Sequence, residues 1–270
     1  MESIAAPENK KQAKTVLTVI IALAFILTIP FWVAVQYFQL QGLPLYFTQL
    51  GLYALFFLLA WWGIRHERLP LPVTGRHVAE ALAWSVVGWV MYVLVVQLSG
   101  LIQLPVELQA LRDTPAWKIG LNMLSTWLFV GLGEEVLFRG YLLRAFWRYC
   151  TAEGSPRRML KTILIGSALF SLWHLPVRIV NLLAGELDWL TLLISLVVLL
   201  AMGVGFSWLY IRSNNILLTG LVHGLMDYPL IGKDTQLSFL ILLAAIGCVE
   251  IIRLAARKKS AQETQPAGSR

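Results

Sequence analysis

The stretch 187–211, LDWLTLLISLVVLLAMGVGFSWLYI, is apolar from end to end except for Asp188 at its edge. At 1.5 Å per residue a helix of this length crosses the roughly 30 Å hydrocarbon layer of a bilayer. Its surroundings have the same character. Segments 16–38, 43–64, 78–101 and 237–256 are equally apolar, and 58% of the 270 residues are hydrophobic against 14% charged. Too little polar surface remains to clothe a water-soluble globule of this size. Three more segments, 117–143, 160–175 and 216–230, are apolar but carry ionisable groups. The expectation is an all-α integral membrane protein with eight transmembrane helices.

Charge tests that count independently, because basic residues collect in cytoplasmic loops and successive loops alternate sides. With both termini cytoplasmic, only Arg112, Lys118, Arg178 and Lys233 of the 22 basic residues fall outside. The net charge of +7 is then an orientation signal and an attraction to lipid surfaces. No basic patch interleaved with aromatics points to nucleic acid, so the expected partners are the bilayer and a membrane-associated peptide or protein. Residues 10–14 resemble the start of a signal peptide, but no small-residue cleavage site follows and the first span reads as retained. Cys150 falls on the cytoplasmic side and Cys248 in the last helix, places that do not suggest a disulfide. The expected organisation is a cytoplasmic segment 1–15, one membrane domain 16–256 with its reactive core at 117–230, and a disordered tail 257–270. The sequence leaves the oligomeric state open.

An ionisable side chain at the bilayer centre costs roughly 2.5–3.5 kcal/mol on insertion scales, so such groups mark sites. Here they concentrate in Gly133-Glu134-Glu135-Val136-Leu137-Phe138-Arg139-Gly140, in Phe170-Ser171-Leu172-Trp173-His174, and in His223-Gly224-Leu225-Met226-Asp227. Counted from the nearest cytoplasmic basic residue at 1.5 Å each, Glu134, His174 and His223 lie at depths of roughly 15, 20 and 16 Å. Groups from three helices at one level suit a single site. Glu135 and Arg139 are spaced i, i+4 for an internal ion pair, which reads as structural support, while Glu134 faces about 100° away without a local partner. His223 and Asp227 share a face, and Phe170 lies one turn from His174. Two chemistries suit this set: Zn2+ held by Glu134, His174, His223 and Asp227, or a metal-free general base at Glu134 acting on water oriented by a histidine. Either gives a hydrolase. A bis-histidine haem site would leave Glu134 without a purpose. A proton-coupled transporter lacks the repeat such folds show, and a non-catalytic immunity or scaffold protein would carry the same cluster.

At these residues the chain resembles the CPBP family of intramembrane proteases, which includes the type II CAAX prenyl endopeptidases and Abi-like proteins. The family pattern is Glu-Glu-x-x-x-Arg, then Phe-x-x-x-His, then His-x-x-x-Asn or Asp. It falls on Glu134, Glu135 and Arg139; on Phe170 and His174; and on His223 and Asp227. The resemblance implies peptide-bond hydrolysis within the membrane, with Glu134 and His174 activating water and His223 with residue 227 binding the oxyanion. It also implies a location in a bacterial cell membrane, with the substrate arriving from the cytoplasmic side. Where the family has Asn, an ionised Asp227 can only accept hydrogen bonds, so the oxyanion role does not transfer to it directly.

Overall fold

A computed structural model describes residues 10–71, 73–149 and 156–263. Cys150, most of the expected N-terminal segment (1–9) and the end of the expected tail (264–270) lie outside the described residues. The regular elements among the described residues are all helical: α1 (Lys10–Tyr37), α2 (Gly42–His66), α3 (Gly75–Leu98), α4 (Leu104–Asp113), α5 (116–149), α6 (Pro156–Trp173), α7 (Leu175–Leu183), α8 (Trp189–Ser213), α9 (Ile216–Asp227) and α10 (Phe239–Glu263), with a 3-10 turn at Lys233–Thr235. α10 continues through Glu263, past residue 257 where the sequence suggested the tail begins.

Among the described residues, six helices are long and apolar enough to cross a membrane: α1, α2, α3, the joined α6 and α7, α8 and α10. The other two expected spans are helical but of a different kind. α9 has 12 residues, about 18 Å of helix, and ends inside the bundle. The loop after it is held by neighbouring helices: Trp127 Nε1 donates to the Tyr228 carbonyl at 3.0 Å, Trp89 Nε1 to that of Pro229, and Tyr92 Oη to that of Gly232. Irregular backbone persists at membrane depth only when its polar groups are satisfied by protein in this way. α5 changes winding along its length. The backbone widens to π-type turns over Leu124–Leu132 and Val136–Leu143, with Gly133–Glu135 α-helical between them. Such turns shift which side chains share a face, and hydropathy alone does not reveal them.

α2 and α5 run in the same direction. Tyr46 donates to Asn122, Ser125 donates to Gln49 at 3.4 Å, Tyr53 donates to Glu134 at 2.9 Å and Tyr141 donates to Glu67 at 2.6 Å, each pair further along both helices. Parallel neighbours separated by α3 require α3 to return across the bundle, and α4, none of whose residues is buried, lies at the end where α2 and α5 begin. Glycine sets the closest contact, between α5 and α9. A Cβ on Gly131 would stand 2.5 Å from the Gly220 carbonyl and 2.6 Å from the Gly224 nitrogen, and one on Gly224 would strike the Trp127 backbone. Gly220 and Gly224 are four apart on α9, the small-residue spacing that lets membrane helices approach backbone to backbone. Gly224→Val is expected to push α9 away from α5, with thermal unfolding in detergent lowered and peptide cleavage lost together; unchanged unfolding would show that the contact is not needed.

Candidate active site

Glu134 and Glu135 are adjacent on α5 and point to different partners. Glu135 Oε1 accepts from Arg139 Nη1 at 2.8 Å, the pair read from the i, i+4 spacing, and both side chains are essentially buried. The arginine is held further by its Nη2, which donates to the Gly203 carbonyl at 3.1 Å, and by the Phe170 ring 4.5 Å from its guanidinium carbon. Phe170 thus supports Arg139 as well as His174, whose ring it meets edge-on at 63° rather than stacked.

The division of roles differs from the sequence reading at Glu135. Its Oε1 also accepts from His223 Nδ1 at 2.9 Å, so this carboxylate orients the histidine besides neutralising Arg139. A carboxylate only accepts, which places the proton on Nδ1. Asp227 shares a face with His223, as the i, i+4 spacing predicts, and stands at the other ring nitrogen, with Oδ2 3.5 Å from Nε2. Phe206 stacks on the imidazole, centroids 4.7 Å apart. His223 is therefore bracketed by carboxylates at both nitrogens.

His174 sits at the break between α6 and α7, with Pro176 in the first turn beyond it. Its Nδ1 lies 2.9 Å from the Phe170 carbonyl oxygen, which can only accept, so Nδ1 is the donor and Nε2 carries the lone pair. That Nε2 is 3.9 Å from Glu134 Oε2, and His223 Nε2 is 3.8 Å from the same oxygen. The convergence expected from depth is realised at one carboxylate oxygen.

Glu134 also has a partner that the sequence reading missed. Tyr53 on α2 donates to Oε1 at 2.9 Å, leaving Oε2 buried and without a hydrogen-bond partner. No local spacing signals this contact across 81 positions, although a tyrosine within an apolar span is itself a polar group in need of a partner. Tyr53→Phe is expected to lower kcat about 10-fold with KM little changed, because the carboxylate loses the bond that aims it; unaltered turnover would remove Tyr53 from the site.

Separations of 3.8–3.9 Å are too long for direct hydrogen bonds and are of the size bridged by a water. Glu134, His174, His223 and Asp227 are donor types that zinc uses, and neighbouring ligands on a tetrahedral zinc stand about 3.3 Å apart. The separations here are wider, and among the described residues no group of three or more His, Cys, Asp or Glu is placed to hold a metal ion. As placed, the residues leave room for a water between a carboxylate and two imidazoles.

Residues 116–229 match the family model described as type II CAAX prenyl endopeptidase Rce1-like. This is the family that the three motifs resemble, and the matched region runs from the start of α5 through the end of α9. The match spans less than half of the chain and, with the apolar helices, accords with an integral multi-pass membrane protein. Tyr53 lies outside the matched region. No curated protein and no solved structure matches the chain.

Proposed function

We propose that this Rce1-like region makes the chain an intramembrane endopeptidase that cleaves a membrane-associated peptide or protein with water activated by Glu134. The observation that carries the proposal is the pair of imidazole Nε2 atoms facing the unpartnered, buried Glu134 Oε2 while Tyr53 holds the other oxygen. A water in that gap donates one hydrogen to Oε2 and the other to His174 Nε2. Glu134 takes the first proton as the oxygen attacks the scissile carbonyl carbon. His223, held by Glu135 through Nδ1, presents a proton at Nε2 to the developing oxyanion, and Asp227 stands 3.5 Å from that nitrogen to favour its protonated form. Glu134 then returns its proton to the amide nitrogen as the C–N bond breaks, leaving an amine and a carboxylic acid that keeps the second proton of the water. Asp227 thus acts through His223, as fits a group that only accepts.

The same reading gives eight crossings with both termini cytoplasmic in a bacterial cell membrane. It counts α5 and the short α9 with its buried loop as crossings, and the parallel course of α2 and α5 supports it. A purified, detergent-solubilised sample assayed against a membrane-peptide library tests the activity. His174→Ala is expected to abolish most cleavage, and chelators are expected to leave the wild-type rate unchanged. Full activity in His174→Ala would remove that residue from the mechanism, and loss on chelation restored by Zn2+ would replace the metal-free route.

A further inference from the structure

The site is closed at one end of the bundle and open at the other. Along α5 every residue from Gly133 to Ala145 is buried, whereas between Ala116 and Val130 only Ser125 is. At the closed end Arg144 donates to Tyr210 Oη, to the Pro70 carbonyl and to Asn214 Oδ1, while Arg148 pairs with Glu67 at 3.4 Å. These are the arginines of the basic cluster that marks the cytoplasmic face. At the open end the side chains of His174 and Asp227 are 17% and 37% exposed, against 3% for Glu134. A carboxylate as exposed as Asp227 does not face hydrocarbon, so it looks into water.

One turn beyond His174, toward the open end, α7 carries Arg178, whose amide donates to the His174 carbonyl at 3.3 Å. Arg178 stands i, i+4 from His174, so the two are neighbours one turn apart, and its charge is within electrostatic reach of that ring. Its Nε is buried without a hydrogen-bond partner, and among the described residues no carboxylate pairs with it. The buried arginines of the bundle core are each engaged through their terminal nitrogens: Arg139 by Glu135 and Gly203, Arg144 by Pro70 and Asn214, Arg148 by Glu67. Arg178 is half-buried beside the reactive groups and has no such partner. With only its Nε buried, the guanidinium keeps its terminal nitrogens accessible at the open end, and a carboxylate matches such a fork with two parallel hydrogen bonds.

We infer that Arg178 binds a carboxylate of the substrate, either its free chain terminus or an acidic side chain near the scissile bond, on a substrate that approaches through the open end remote from the basic cluster. This rests on the peptidase reading above. A substrate approaching from the cytoplasmic face, as the sequence suggested, would meet the sealed layer of Arg144 and Arg148.

The test compares wild type, Arg178→Gln and Arg178→Lys on labelled membrane peptides in three forms: carboxylate-bearing, amidated at the C-terminus, and with acidic side chains replaced by their amides. Both cleavage kinetics and equilibrium binding are measured. Arg178→Gln is expected to raise KM about 10-fold or more for the carboxylate-bearing peptide, with kcat little changed. It is expected to have no effect on whichever amide form removes the recognised group, which identifies the source. Arg178→Lys is expected to fall between, and its retention of the wild-type elution profile in detergent separates binding loss from misfolding. Equal kinetics and binding for all peptides in Arg178→Gln would overturn the inference and leave Arg178 as a cation reaching lipid phosphate. If wild type cleaves none of the peptides, the peptidase reading fails; carboxylate-dependent binding lost in Arg178→Gln would still uphold the role of Arg178, and its absence would overturn it.

Discussion

Glu134→Gln is expected to lower kcat by about 10²–10⁴-fold, the range that a positioned general base contributes. The amide preserves the shape of the side chain, and its carbonyl oxygen still accepts from Tyr53, so packing around α2 and α5 is retained. What disappears is the acceptor at Oε2, the buried oxygen that both imidazoles face. Turnover of a cleavable membrane peptide measures the effect, with the elution profile and thermal unfolding in detergent as controls for folding. A variant that folds normally and keeps even a tenth of the wild-type kcat would shift the base elsewhere and undo the proposed mechanism.

Arg139→Met is expected to cost about 3–5 kcal/mol of stability, the penalty for stranding one member of a buried ion pair. Glu135 would keep His223 but lose Arg139, its one cation partner of fixed charge among the described residues, while Oε2 of the same carboxylate already lacks a partner. Phe170 and Phe206, which flank the guanidinium at 4.5 and 5.3 Å, would close on a thioether with no charge to return. Combining Arg139→Met with Glu135→Gln is expected to recover part of the stability, because no buried charge is then left alone. Activity is not expected to return, since His223 Nδ1 loses the carboxylate that orients it. Thermal unfolding of the single and double variants in detergent measures the first effect and peptide cleavage the second. Stability unchanged in Arg139→Met would show that the pair contributes no more than a surface contact.

The two expectations separate the adjacent glutamates by function, and the sequence goes only part of the way there. Spacing along one helix is legible in sequence because the period is known, so the Glu135–Arg139 pair could be anticipated. The long apolar segments are legible for a similar reason, since bilayer thickness and helical rise set their length. Depth counting brought Glu134, His174 and His223 to one level, and they do meet. Counting cannot supply azimuth, however, and azimuth decides which atom faces which.

By itself, then, the sequence determined a helical membrane protein, the level of its polar centre and the residues that compose it, because hydropathy and helical period act locally along the chain. Only the tertiary structure decided that Glu135 reaches His223 across 88 positions, that Tyr53 from α2 claims one oxygen of Glu134, and that Asp227 stands at the opposite nitrogen of His223 from Glu135. It also decided that α9 stops short and that the site is sealed toward its arginines and open beside Arg178. Those outcomes follow from how α2, α5, α6 and α9 rotate and cross, which glycine contacts and π-type turns set. Neither leaves a trace in the average polarity of a segment.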